Sequence, residues 1–256
     1  MLKFFYYNIY QIFFSRFLII NLIFGKIFIF DKKKCNFFFQ NIRNLFDLNT
    51  YRQIFIKEDY NLETTSIGLF IKRNYKKKLL ILDCGSNIGA STNYFSLQFP
   101  SCKIIGIEPD IDNYKLSIKN TFSSNILIYN SAISCRKKIF KVIKSTKSDP
   151  RGVRIKEDKK GLKKTLTIKE ILDNKFLKMF KPFIIKIDIE GSEKDLFQSN
   201  TNWINNFPII IIELHDWMIK KQNISSNFIK KISKIKNKDI FIKNENLVVV
   251  NYNLIK

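Results

Sequence analysis

The chain has 256 residues, enough to bury a full-sized core, and one α/β domain with an N-terminal extension accommodates it better than two domains. Its formal net charge of +23 would ordinarily point to nucleic acid or an anionic membrane. Lys, Asn, Ile and Phe recur from end to end, however, so the charge reads as a basic, solvated surface and not as a dedicated patch. Four cysteines, Cys35, Cys84, Cys102 and Cys135, show no C-x-x-C spacing and are too few to staple the chain, which excludes a disulfide framework and fits free thiols in a reducing compartment.

The first thirty residues are rich in Phe, Tyr, Ile and Leu. Gln11, Ser15, Arg16, Asn21 and Lys26 interrupt them, so no run of 18 apolar residues is available to span a membrane, and no A-x-A cleavage site follows. Residues 1–40 are expected to form an apolar helical extension, packed on the domain as a helix or hairpin, with residues 41–256 forming the domain itself. A cytoplasmic location is expected. Peripheral membrane contact through residues 1–34, ending in Lys32-Lys33-Lys34, stays open. Asp47 to Tyr60 reads as helix and turn, and Thr64 to Lys72 as a second short helix lying across a sheet.

Leu79-Leu80-Ile81-Leu82-Asp83-Cys84 is a short uninterrupted apolar run, which suits a strand covered on both faces. It breaks into Gly85-Ser86-Asn87-Ile88-Gly89-Ala90 and then a helix from Ser91 to Phe99. A strand, a glycine turn and a helix N-terminus together make a cradle for a carboxylate or phosphate. In the dinucleotide register G-x-G-x-x-G/A this stretch reads Gly85, Asn87, Ala90, which puts a side chain where a pyrophosphate would press closest. Asn is the non-glycine residue that best tolerates a left-handed backbone at such a point.

Lys103 to Glu108 is a second buried strand ending in an acid, 23 residues past Gly85 and placed to reach ribose hydroxyls. Asp110 or Asp112 caps the helix that follows, running to about Asn120. Ile126 to Asn130 is a third strand, with the small residues Ser131 and Ala132 at its end. Lys138 to Lys144 reads as a further strand, Ser145 to Lys164 as a polar mobile loop with a lid-like Ser148 to Gly152 portion, and Thr167 to Phe180 as an amphipathic helix. Pro182 to Glu193 is a strand that plants Asp188 and Glu190 at its C-terminal end, on one face if the strand continues that far. Pro208 to His215 is the next strand and carries the only histidine. Asp239 to Ile242 and Leu247 to Val250 make a closing antiparallel hairpin.

The order Asp83-x-Gly85-x-Asn87-x-Gly89, Ile107-Glu108-Pro109-Asp110, Lys186-Ile187-Asp188-Ile189-Glu190-Gly191-Ser192-Glu193 and Ile212-Glu213-Leu214-His215 closely resembles the FkbM family of class I S-adenosylmethionine-dependent methyltransferases. The resemblance runs from about Tyr51 to Val250, and its most specific element is the D-x-E-G-x-E block at Asp188 to Glu193. It implies a Rossmann-like, seven-stranded, mostly parallel sheet with helices on both faces, in which only the last hairpin strand is antiparallel. It further implies S-adenosylmethionine as cofactor and O-methylation of a sugar, glycan or secondary-metabolite hydroxyl. Carried onto this chain, Asp83, Gly85, Asn87 and Gly89 would hold the methionine end of the cofactor, Glu108 the ribose, Ser131 and Ala132 the adenine. Asp188 would sit near the sulfonium and the acceptor.

A sugar hydroxyl is a poor nucleophile at neutral pH, so a base is needed, and His215 and Asp188 are the candidates. His215 is favoured on its ordinary pKa near neutrality. The carboxylates Asp188, Glu190 and Glu213 do not by themselves establish a metal, and none is assigned. The rival readings are an RNA methyltransferase, for which no aromatic-basic motif is visible, a dehydrogenase, and a non-catalytic membrane-associated interaction protein resting on the N-terminal segment.

Overall fold

The structure, a computed structural model, describes residues 9–22, 24–63, 68, 78–144, 152–161, 163–216 and 223–255. The expected helix Thr64 to Lys72, apart from Gly68, lies outside them, as do most of the expected lid portion and Leu162. Among the described residues three sheets form. The first holds strands β1 (Phe17–Leu22), β2 (Lys26–Asp31) and β3 (Asn36–Asn41), all antiparallel. The central sheet holds β4 (Leu79–Cys84), β5 (Lys103–Ile107) and β6 (Ile126–Tyr129). A small side sheet holds β7 (Ile139–Lys144), β8 (Val153–Glu157) and β9 (Lys163–Lys164), and the central sheet is completed by β10 (Lys181–Ile187), β11 (Ile209–Glu213), β12 (Lys238–Lys243) and β13 (Asn246–Asn251).

The central order is β12-β13-β11-β10-β4-β5-β6. β6, β5, β4, β10 and β11 pair in parallel, and β13 runs antiparallel to both of its neighbours, so it alone is reversed. Every residue of β4 is buried. Alternation divides that strand between two cores: Leu79 and Ile81 pack with Phe17, Tyr94 and Phe95 on one face, and Leu80, Leu82 and Cys84 pack with Phe197, Trp203 and Phe228 on the other. Chain order reverses between β4 and β10, and in an open α/β sheet the crevice beyond the carboxyl ends at such a point is where ligands bind.

Three expectations are corrected. The N-terminal extension is a sheet and not a helix over residues 17–41. Its inner face, Phe17, Ile19, Ile27 and Ile29, is buried in the same core as β4. Arg16 fastens it, with Nε and Nη2 on the Asp31 carboxylate at 2.9 and 2.5 Å and Nη1 on Gln98 at 2.9 Å. Its outer face leaves Phe37 and Phe39 exposed beside Phe28. The expected polar loop from Ser145 to Lys164 contains β8 and β9, which pair with β7. The expected long helix from Thr167 is short, Ile168–Asp173, started by a capping box between Thr167 and Glu170 and followed by a 3₁₀ turn at Leu177–Met179.

Asn120, the last residue of helix Ile111–Asn120, is buried. Its Nδ2 lies within hydrogen-bond distance of the Asn41 carbonyl (3.1 Å), Tyr51 Oη (3.0 Å) and the Ile88 carbonyl (3.2 Å), and its Oδ1 accepts the Asn41 N–H at 2.7 Å. One side chain thus joins the end of β3, helix Leu45–Tyr51 and the glycine turn. No helix among the described residues is long and apolar enough to cross a membrane.

Candidate active site

The turn after β4 is left-handed at three points: Gly85 (φ 84°), Asn87 (φ 48°) and Gly89 (φ 85°). At Gly85 space forbids any side chain as well, because a Cβ would fall 1.8 Å from the Asp188 carbonyl oxygen. The N–H groups of Gly85 and Ser86 donate to the Ile107 carbonyl, that of Gly89 to Ser86, and that of Asn87 to Glu108 Oε2 at 2.9 Å. These donors are spent inside the turn. A pyrophosphate, which needs several free backbone N–H groups, is poorly matched to it, whereas an aminocarboxylate ligand asks less of it.

Asp83 is wholly buried behind this turn and does not reach the cleft. It accepts a 2.5 Å hydrogen bond from Ser91 Oγ and stands 3.2 Å from Lys186 Nζ. Lys186 in turn donates to the Gly85 carbonyl at 2.7 Å and lies 3.5 Å from Asp188. Burial works against the Lys186 charge, but Asp83 and Asp188 outweigh it and hold its pKa well above the ordinary value. Gly89 also lies off the cleft, packed against Ser117. Both residues shape the turn from behind.

Glu108 closes β5 and is 3% exposed. Its Oε2 accepts the Asn87 N–H and its Oε1 the Asp110 N–H, each at 2.9 Å, which leaves each oxygen a lone pair. Asn113 Nδ2 stands 3.5 Å from Oε1, at the outer limit of a hydrogen bond. Burial pushes the Glu108 pKa up to about 7, against the pull of those hydrogen bonds. It lines a narrow cleft of about 520 Å³ with Gly85, Asn87, Asn113, Ala132 and Asp188. Ser131 is not in that wall: its Oγ donates to the Lys164 carbonyl at 2.9 Å, and Ala132 and Ile133 form the surface instead. Val153 and Ile155 of β8 cover the same cleft, a contribution from a segment read as loop.

A wider cleft of about 1710 Å³ opens from the narrow one and shares Gly85, Asn87, Asp188 and Glu190 with it. Thr50, Gln53 and Tyr60 wall one side, Arg154 another, and His215 with Glu213 the floor. β10 ends at Ile187, so alternation does not bring Asp188 and Glu190 to one face. A turn with Glu190 at φ 54° and Gly191 at φ 94° does so, and both carboxylates converge on His215.

His215 is 1% exposed. Its Nδ1 is 2.8 Å from Glu193 Oε1, and its Nε2 is 3.4 Å from Glu213 and 3.7 Å from both Asp188 and Glu190. Burial lowers its basicity, but Glu193, Glu213 and Asp188 overcome that and carry its pKa to about 11. These carboxylates favour the protonated ring, which weighs against the near-neutral base expected of His215 from its ordinary pKa. Burial and the neighbouring Asp188 raise Glu190 to about 7. Asn113 and Ile155 were not singled out in the sequence, and Lys186 and Glu193 were quoted only as the ends of the Lys186 to Glu193 motif, with no role assigned. Lys186 left a signal as a lysine inside the apolar run Phe183 to Ile187, and Glu193 as the last acid of the D-x-E-G-x-E block.

Residues 83–239 match the family model described as the methyltransferase FkbM domain. No curated protein matches the chain. Among solved structures, the plantazolicin methyltransferase BpumL in complex with SAH is 12% identical with a TM-score of 0.36, over 64% of this chain and 50% of that one. TrmK of M. capricolum in complex with S-adenosylhomocysteine is 8% identical (TM-score 0.36, 71% and 66% covered), and the METTL16 methyltransferase domain 10% (TM-score 0.40, 81% and 68%). The chain thus spans about half the length of the plantazolicin enzyme. Assignment rests on the family match, which takes in more than half of the chain, and on the strand order. The chain belongs to the FkbM methyltransferase domain family and carries the Rossmann-like fold of S-adenosylmethionine-dependent methyltransferases.

Proposed function

We propose that this chain transfers a methyl group from S-adenosylmethionine to a hydroxyl of a sugar, glycan or secondary metabolite. The observation that carries the reading is the junction of two clefts at Asp188. The narrow one has a buried carboxylate, Glu108, at its far end, and the wide one has a polar wall and floor. Glu108, with one lone pair free on each oxygen, suits the two hydroxyls of a ribose, and Ala132 with Ile133, Val153 and Ile155 suits an adenine ring. Gly85 and Asn87 stand where the two clefts meet and would bear on the methionine end.

When bound, the cofactor supplies a methyl carbon made electrophilic by a sulfonium. The chain's own contribution is alignment of the acceptor oxygen with that carbon from the wide cleft. The acceptor oxygen would take the methyl carbon from the cofactor's sulfonium, which keeps the electron pair of the carbon–sulfur bond, and the hydroxyl proton would go to the Glu190 carboxylate, beside Asp188. His215 keeps its catalytic place in this reading as the cation that gathers those carboxylates, and not as the base. In the wide cleft Asp188, Glu190, Glu213 and Glu245 face Arg154, Lys186 and His215, a near balance of charge without the surplus of cations that the phosphate backbone of an RNA calls for.

Calorimetric titration with S-adenosylhomocysteine and, separately, with NAD tests the cofactor. Micromolar binding of the first alone is expected. Transfer of labelled methyl to panels of sugar and polyketide hydroxyls against an RNA control tests the acceptor, and labelling of RNA alone would overturn the O-methyl reading.

A further inference from the structure

The geometry points to a binding site for one divalent transition-metal ion on the floor of the wide cleft, with His215 Nε2, Asp188 Oδ1 and Glu213 Oε1 as ligands. Each of these residues offers a donor atom within 4.8 Å of the others'. From Nε2 the distances are 3.4 Å to Glu213, 3.7 Å to Asp188 and 3.7 Å to a fourth oxygen, Glu190 Oε2. The two at 3.7 Å are too long for hydrogen bonds, and the third is at their limit. They are close to what an ion imposes: ligands about 2.0–2.2 Å from a metal stand roughly 3.0–3.5 Å apart along the edges of an octahedron or tetrahedron. An ion would draw the donors, now within 4.8 Å of one another, in to that spacing.

A second observation comes from behind the ring. Glu193 is fully buried and directed at the cluster, with Oε1 2.8 Å from Nδ1, while its Oε2 is buried without a hydrogen-bond partner. Binding of an ion would displace the Nε2 proton of the imidazolium, and Glu193, accepting from Nδ1–H, would then hold the tautomer whose Nε2 lone pair faces the ion, which is how metal-bound histidines are commonly oriented. Four carboxylates surround the imidazole, and the nearby Lys186 is shared between Asp188 and Asp83, so negative charge is left for a doubly charged ion to balance.

One nitrogen with two or three carboxylate oxygens suits Mn²⁺, Fe²⁺ or Co²⁺ better than Ca²⁺, which takes six to eight oxygens. The consequence for chemistry rests on the methyl-transfer reading above. An ion there faces the wide cleft, so it would bind the acceptor hydroxyl and acidify it as a Lewis acid. Glu190, at the edge of the set, is left to receive the proton.

The test uses the full chain stripped with chelator and titrated with MnCl₂. The readouts are calorimetry and loss of the free Mn²⁺ paramagnetic-resonance signal, and S-adenosylhomocysteine binding is measured in parallel. One Mn²⁺ per chain is expected, with affinity lowered at least tenfold by Glu213→Gln and about 10- to 100-fold by Glu193→Gln. Retained S-adenosylhomocysteine binding shows that each variant is folded. Absence of stoichiometric Mn²⁺ binding in a chain that binds S-adenosylhomocysteine overturns the metal site and leaves the methyltransferase reading intact. So does Mn²⁺ binding that Glu213→Gln does not weaken. Mn²⁺ binding at these residues with no S-adenosylhomocysteine binding supports the site and counts against the cofactor reading.

Discussion

Glu108→Gln is the substitution that probes the cofactor reading most directly, because it keeps the shape of a 3% exposed side chain while removing its charge and turning one of its two acceptor oxygens into a donor. Hydrogen bonds to a charged acceptor are worth about 1.5–3 kcal/mol each. Losing the charged partner of a ribose should therefore weaken S-adenosylhomocysteine by roughly 10- to 150-fold. The wild-type chain carries its own control in pH. With a pKa of about 7, Glu108 is about one-tenth ionised at pH 6 and nine-tenths at pH 8, so affinity should rise about tenfold over that interval and be flat in the variant. Stability without ligand should run the other way. The folded pKa lies above the ordinary carboxylate value, so the contribution of Glu108 is fully present below about pH 4.5 and is lost as pH rises through about 7. Titration calorimetry at pH 6, 7 and 8, with thermal melts at each pH, reads both effects. Equal affinity of wild type and Glu108→Gln at pH 8 would refute the ribose assignment.

Gly85→Ala should abolish S-adenosylhomocysteine binding in calorimetry, because a Cβ 1.8 Å from the Asp188 carbonyl must displace β4 from β10 at their ligand ends. Arg16→Met leaves Asp31 buried without its partner and should cost on the order of 3 kcal/mol, or about 6 to 12 °C in melting temperature by scanning calorimetry. Lys186→Met should weaken the fold by a similar order by stranding Asp83 and Asp188, and Lys186→Arg should recover part of the loss in urea denaturation. His215→Ala should lower turnover far more than cofactor affinity, and equal loss of both would deny it a catalytic place.

The central sheet was legible because its strands are short apolar runs closed by Gly, Pro or acid, a local signal that tertiary packing reinforces. The N-terminal sheet was not. β2 alternates correctly, with Ile27 and Ile29 inward, but Phe28 and Phe30 occupy the other face, so period two is hidden in a uniformly apolar stretch. β8, Val153-Arg154-Ile155-Lys156-Glu157, does alternate in sequence, and the surrounding lysines drew the reading toward loop. In the site, the turn and Glu108 could be read because each acts where it stands in the chain. The raised pKa of His215 could not. It depends on carboxylates delivered by β11, by the turn after β10 and by helix Glu193–Leu196, groups that only the folded sheet brings within 4 Å.

Asn120 gives the N-terminal sheet a reach that its position does not suggest. It grips the end of β3 and the Ile88 carbonyl of the cofactor turn with one amide, so ordering of that turn by a ligand is expected to slow amide exchange at Asn41, more than 45 residues upstream. A shortened chain beginning after β3 would forfeit that anchor along with the Arg16 clasp. Trimming the front of the molecule to isolate its catalytic half would therefore loosen the half it was meant to isolate.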